Sequence, residues 1–177
     1  MTLVNYVKLR ELDDAIRPLV ININRIPGIY TQTTCEGHVW HDCPAFPTKD
    51  GWVHFSKPKN QHGGLVTTIQ EYCKENKFFS LTNWGGEPGI DQYTINAAFD
   101  AEHDEYERID ILESLSPEEK KEFWSKMDSQ KPVLVAGWRD MNQVIVRYIK
   151  ENINPDLFKL PYRNQNDHTD FRMHCRH

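Results

Sequence analysis

The amino-acid sequence predicts an α+β fold, a single compact domain in which helices flank a mixed or antiparallel sheet. Segments with helical periodicity surround several short segments rich in β-branched and aromatic residues. A glycine-rich turn at residues 85–89 joins two of these strand segments, as in a hairpin of antiparallel strands. No glycine-rich phosphate-binding motif follows a predicted strand, so the doubly wound nucleotide-binding folds are not indicated.

Helices are predicted where apolar residues recur at helical spacing, which happens at about 10–24, 65–76, 117–127 and 133–151. Pro18 should kink the first of these helices or start its second half, and Pro27-Gly28 should end it. Ser116 and Glu119 have the spacing of a capping box, which predicts the start of the third helix.

Strands are predicted where β-branched and aromatic residues cluster, at about 29–34, 51–56, 78–84 and 92–99. Side chains alternate between the two faces of a strand. In the second strand this alternation places Trp52, His54 and Ser56 on one face and Val53 and Phe55 on the other.

One domain is sufficient for a chain of 177 residues. We assign residues 1–151 to the α+β domain and residues 152–177 to an irregular C-terminal tail. The acidic stretch at 100–113 is interpreted as a solvated element, as runs of like charge usually are.

Composition and charge exclude several classes of protein. The net charge of -5 argues against a protein that coats nucleic acid through many phosphate contacts, so RNA is a disfavoured partner. The sequence has no apolar run long enough for a membrane span, and its first residues do not resemble a signal peptide. Four scattered cysteines suit a reducing compartment, and we expect a cytoplasmic protein.

Metal binding is one hypothesis for the loop after the first predicted strand, which contains four candidate ligands: Cys35, His38, His41 and Cys43. Thiolates and imidazoles are typical zinc ligands, although a single short loop rarely places four of them around one ion. Two or three of them with a distant partner, such as His54 or the tail residues His174, Cys175 and His177, would be more plausible. The alternative is that Cys35 is a buried thiol and the histidines form ordinary hydrogen bonds.

The same loop also suits ligand binding through its backbone. Small hydroxyl residues and a glycine follow the strand at Thr33, Thr34, Cys35, Glu36 and Gly37. Such a turn can expose backbone N–H groups to a phosphate or carboxylate, although a plain connecting turn has the same composition. A further alternative makes Cys35 a nucleophile, activated by one of the loop histidines.

A family resemblance rests on two motifs, Thr33-Thr34-Cys35-Glu36-Gly37-His38 and Gly51-Trp52-Val53-His54-Phe55-Ser56. They resemble the Ser-Ser-Cys-Ser-Gly-Arg and Trp-x-x-x-Ser-His motifs of the tRNA wybutosine-synthesising protein 3 family. His38 stands where the family has Arg, and Lys57 stands where it has His.

The resemblance implies an α+β fold and S-adenosylmethionine-dependent N-methyl transfer to a modified guanosine in tRNA. It implies a ligand site formed by residues of the two motifs: Thr33, Thr34, Cys35, Gly37, His38, Trp52 and Ser56. We therefore expect the turn at Cys35 and the strand through Trp52 and Ser56 to form two walls of one cavity.

Three hypotheses on function remain open at this point. The first is a protein that binds a small molecule or nucleotide, with an aromatic platform at Trp40, Trp52 or Trp84. The second is a non-enzymatic protein-interaction module, and the third is a protein with a Cys/His metal site, structural or hydrolytic, on the loop from Cys35 to Cys43. The negative net charge makes a small nucleotide a better candidate than a whole tRNA.

Overall fold

The computed structural model describes residues 12–41, 48–100 and 102–154. The elements follow one another in the order α1 (Arg17–Asn24), β1 (Tyr30–Cys35), β2 (His38–Val39), β3 (Thr48–Lys49), β4 (Gly51–Pro58), α2 (Gly63–Glu75), β5 (Phe79–Gly85), β6 (Ile90–Ala97), α3 (Glu105–Ser114) and α4 (Pro117–Asn152).

The main sheet has four strands in the order β1-β4-β6-β5, and each strand is antiparallel to its neighbours. The β5–β6 pair is the hairpin predicted around residues 85–89. β2 and β3 form a separate two-stranded ribbon inside the segment predicted as a loop. The predicted α+β fold with an antiparallel sheet is therefore confirmed.

The hydrophobic core lies between one face of the sheet, here called the covered face, and the helices. Its strand residues are apolar and buried: Val53, Phe55, Phe79, Tyr93, Ile95 and Ala97. α1 and α4 pack against each other, and α2 packs on α4 and β5. Gly137 of α4 allows the closest approach, because a Cβ there would lie 2.3 Å from the ring of Phe79. Burial of these side chains is the main stabilising term of the fold.

α4 is one continuous helix of 36 residues, whereas the sequence predicted two shorter helices. Pro132 lies inside it and removes the backbone N–H that would bond to the carbonyl of residue 128, at a cost of about 3 kcal/mol. Met127, Leu134 and Trp138 on either side of this proline are fully buried in the same core. Their burial outweighs the local cost of the proline.

α1 begins at Arg17, so Pro18 lies in its first turn, where a proline is tolerated. The helical pattern before it continues into residues that are buried but not helical, including Ala15 and Ile16. In the described part of the chain, none of the helices is both long and apolar enough to cross a bilayer. All but the first three residues of the predicted tail fall outside the described residues.

Candidate functional site

The second face of the main sheet, here called the outer face, carries polar and aromatic side chains. Its residues alternate with those of the covered face and are Gln32, Thr33, Trp52, His54, Ser56, Ser80, Thr82, Trp84, Gln92, Thr94 and Asn96. None of these side chains is charged. The two charged residues of the four strands, Lys57 and Asp91, instead form an ion pair of 3.1 Å between their Nζ and Oδ2 atoms.

Thr94 connects three strands on the outer face. Its Oγ1 accepts a hydrogen bond from Nε1 of Trp84 at 2.8 Å and lies 2.7 Å from Nδ1 of His54. Because an indole N–H only donates, the hydroxyl proton of Thr94 is available for Nδ1 of His54. Burial lowers the pKa of His54, which favours the neutral ring at pH 7.

Trp84 is the most exposed aromatic of the sheet, with 66% of its surface accessible to solvent. It lies on the edge strand β5, beside a register shift between Asn83 and Gly85. The hydrogen bond to Thr94 holds the indole in one orientation although little of it is packed. The result is a fixed and accessible aromatic surface next to His54.

Trp52 lies on the outer face of β4. Its Nε1 donates to Oγ1 of Thr33 at 3.3 Å, and Nζ of Lys49 lies 4.9 Å from the ring centroid. Nε2 of Gln32 donates to Oγ of Ser56 at 2.6 Å in the neighbouring row of the sheet. Three residues of the predicted ligand site, Thr33, Trp52 and Ser56, therefore share the outer face.

Cys35, Gly37 and His38 lie at the end of β1, where Cys35 pairs with Trp52 of β4, in a group that we call the Cys35 junction and define as Asp13, Cys35, Glu36, Gly37 and His38. Cys35 is fully buried. One ligand atom each of Asp13, Cys35 and His38 lies within 4.8 Å of the others. Nε2 of His38 is 3.4 Å from Oδ2 of Asp13, and the same oxygen accepts the backbone N–H of Glu36 at 3.0 Å.

Burial alone would raise the pKa of Asp13, but the hydrogen bonds from His38 and from the Glu36 amide, together with the charge of Lys131, lower it. Asp13 is therefore a carboxylate at pH 7. No local spacing in the sequence indicates Asp13 as a site residue, because it lies more than 20 positions before Cys35 and His38.

The turn at Glu36 and Gly37 is packed against α4 and β4. Nε1 of Trp138 donates to the carbonyl of Glu36 at 3.0 Å, and Nζ of Lys131 donates to the Glu36 carboxylate at 2.8 Å and to the carbonyl of Gly37. A Cβ on Gly37 would lie 3.2 Å from the backbone nitrogen of Gly51. The turn therefore packs directly against the start of β4, where Cys35 is the antiparallel partner of Trp52.

The remaining predicted residues lie elsewhere. Thr34 is paired with Val53 on the covered-face register, and its buried Oγ1 has no hydrogen-bond partner. Nε2 of His41 lies 3.0 Å from Oδ1 of Asp128, and its ring packs against Trp124. Cys43 falls outside the described residues. The structure thus places Thr33, Trp52 and Ser56 on the outer face and Cys35, Gly37 and His38 at the Cys35 junction, and it puts Thr34 and His41 in neither group.

The acidic stretch forms α3 and the wall of a surface cleft of about 420 Å³. Asp104 caps α3, and Nζ of Lys126 lies 2.8 Å from Oδ2 of Asp100. Burial alone would raise the pKa of Asp100, but hydrogen bonds from Lys126, the Glu102 amide and His103 lower it to about 2. These acidic groups therefore have structural partners of their own.

Comparison with known proteins adds no relative to this description. No family model, no curated protein and no solved structure matches the chain. The resemblance to the wybutosine-synthesising family accordingly stays a prediction that rests on the two motifs.

Proposed function

We propose that this protein binds a small ligand containing a nucleobase on the outer face of the sheet, with the base stacked on Trp84. The observation that carries the proposal is the exposure of this indole, 66%, combined with its fixed hydrogen bond to Thr94. Stacking of a base on an aromatic side chain contributes about 1–3 kcal/mol. A platform held in place before binding loses little entropy when the ligand arrives.

The polar groups around Trp84 suit the edge of a base. His54 shares Thr94 with Trp84, while Asn96 and Gln92 present amides in the same strand. Amides and a neutral imidazole both donate and accept hydrogen bonds, which is what the donors and acceptors of a base edge require. The four strands contribute no charged side chain to the outer face around Trp84.

The charge of the molecule favours a short ligand. Long nucleic acids are bound mainly through Lys and Arg contacts to phosphates. Lys49, beside Trp52, is the cation placed at the outer face by a ring contact, and the net charge of the chain is -5. These observations support a nucleoside or mononucleotide more than a tRNA.

S-adenosylmethionine is a small ligand that contains a nucleobase, adenine. The motif resemblance makes it a specific candidate. Methyl transfer to a guanosine would then be the reaction, with the sheet supplying position and orientation. The proposal that a nucleobase binds at Trp84 does not depend on this reaction.

Tryptophan fluorescence and calorimetric titration of the full chain test the proposal. The ligands are adenosine, guanosine, their monophosphates, S-adenosylmethionine and a short single-stranded oligonucleotide. We expect saturable binding of at least one mononucleoside ligand. Trp84→Ala should weaken this binding about 5- to 150-fold, which corresponds to a stacking term of about 1–3 kcal/mol.

Tyr106→Ala is the matched control, because Tyr106 is 74% exposed but lies on α3. It should leave the dissociation constant unchanged. Absence of binding across the whole set of ligands would overturn the proposal. Equal affinities of the wild type and the Trp84→Ala variant would also overturn it.

A further inference from the structure

We propose that Asp13, Cys35 and His38 form a binding site for a zinc-type transition-metal ion at the Cys35 junction. This site contains none of Trp84, Thr94 and His54, so the inference does not rest on the proposed nucleobase binding. Its ligands would be one thiolate, one imidazole and one carboxylate, a set that zinc accepts.

The distances between these side chains fit a metal centre. Two ligands that bind zinc at about 2.0–2.1 Å in tetrahedral geometry lie about 3.3–3.4 Å apart. The separation of Nε2 of His38 and Oδ2 of Asp13 is 3.4 Å. The sulfur of Cys35 completes a group whose ligand atoms lie within 4.8 Å of one another, and metal binding would close these separations to about 3.3–3.5 Å.

The surroundings hold these ligands in place. The Glu36 amide donates to Oδ2 of Asp13, and the ring of His38 stacks on Trp40 with centroids 5.3 Å apart. Hydrogen bonds of this kind orient metal ligands and are part of most metal sites. Nζ of Lys131, the nearest cation, is engaged by the Glu36 carboxylate and the Gly37 carbonyl.

Burial favours a ligand role for Cys35 over a nucleophilic one. A catalytic thiolate must meet its substrate, whereas Cys35 has no accessible surface. His38 and Asp13 are partly accessible, with side-chain exposures of 24% and 31%, so an ion has a route to the site. Three protein ligands leave one position of a tetrahedral ion for another donor.

Binding would link two parts of the chain that are distant in sequence. Asp13 precedes α1, while Cys35 ends β1 and His38 begins β2. Because the three ligands come together only in the folded chain, the binding free energy of the metal adds to the stability of the fold.

Titration of the metal-free full chain with Co²⁺ and Zn²⁺ tests the proposal. Bound Co²⁺ gives a thiolate-to-metal charge-transfer absorption that reports directly on a cysteine ligand. We expect this band to saturate at one equivalent in the wild type and to disappear in Cys35→Ser. Asp13→Asn and His38→Ala should weaken Co²⁺ binding by at least about tenfold, since losing a direct ligand costs no less than losing its supporting hydrogen bond.

Cys73→Ser is the matched control, because Cys73 is a half-buried thiol on α2. It should retain the band, and Trp84→Ala should retain it as well, which separates this site from the proposed nucleobase site. If Cys35→Ser fails to fold, the Asp13→Asn and His38→Ala variants decide the question. Absence of saturable binding to the folded wild type, or a band that survives Cys35→Ser, overturns the proposal.

Discussion

The two faces of the main sheet are made by alternate residues of the same strands, yet different interactions hold them. On the covered face Val53, Phe55 and Ile95 have no accessible surface and are held by packing against the helices. On the outer face Trp84, His54 and Thr94 are held by hydrogen bonds between neighbouring strands.

Within one sheet, the covered face therefore stabilises the fold, and the outer face carries the groups that suit a ligand. The covered face lowers the free energy of the folded state through apolar burial, and its residues Val53, Phe55 and Ile95 have no polar side-chain group to offer a ligand. The outer face can present indole, imidazole and amide groups because the fold does not require them as core. Substitutions on the two faces should therefore affect different measurements.

The largest expected loss in the free energy of unfolding follows a substitution on the covered face. Phe55→Ala removes a fully buried ring that stacks on Tyr93 with centroids 5.6 Å apart. We expect a loss of about 3–5 kcal/mol in the free energy of unfolding, measured by urea denaturation. Trp84→Ala on the outer face should change the same quantity by less than about 1 kcal/mol. Equal losses in the two variants would contradict the division between the faces.

Gly37→Ala tests the packing of the turn between β1 and β2. Gly37 has φ of 92°, and its new Cβ would lie 3.2 Å from the backbone of Gly51 and Lys49. We expect a loss of about 1–3 kcal/mol by urea denaturation. Gly63→Ala is the control, because Gly63 has no atom within 4 Å of a new Cβ and lies in α2, where alanine stabilises by about 0.4–1 kcal/mol. A harmless Gly37→Ala would show that the turn is not tightly packed.

Thr94→Val tests the hydrogen bonds of the outer face. The isosteric change removes the partner of both Trp84 and His54. We expect about 1 kcal/mol of lost stability, and weaker binding of the nucleobase ligand because the indole is no longer held. Thr67→Val, an exposed change on α2, should alter neither quantity. Unchanged ligand affinity in Thr94→Val would show that the orientation of Trp84 does not matter.

The smallest expected effect is the pH dependence due to His54. Burial lowers the pKa of His54 below 6.5, so the unfolded chain takes up its proton at a higher pH than the folded chain does. The folded state therefore loses stability as the pH falls from the ordinary pKa through the lowered one, and it is not penalised above that window. Denaturation midpoints of the wild type should fall more than those of His54→Gln between about pH 7.5 and 5. Parallel curves for the two proteins would contradict the lowered pKa.

The sequence predicted the fold well because periodicity is a local property. Alternation placed Trp52 and His54 opposite Val53 and Phe55, as the register between β4 and β6 confirms. The continuity of α4 through Pro132 could not be predicted, because it depends on core contacts on both sides of the proline.

The candidate site was less accessible to sequence reasoning for the same reason. The motif after β1 identified Cys35 and His38, but Asp13 joins them only after α1 has folded back along the sheet. Thr94 contacts both Trp84 and His54, although Thr94 and His54 are 40 residues apart in the sequence. No spacing rule anticipates partners at such separations.

The long α4 helix contacts several separate parts of the described chain. Lys126 contacts Asp100, Lys131 contacts Glu36, and Asn142 accepts a hydrogen bond from Asn22 of α1. Because α4 is bonded to other elements at several points along its length, few segments can unfold on their own. Backbone amides of α1, β4 and the centre of α4 should consequently exchange their hydrogens at one common slow rate, as a single cooperative unit.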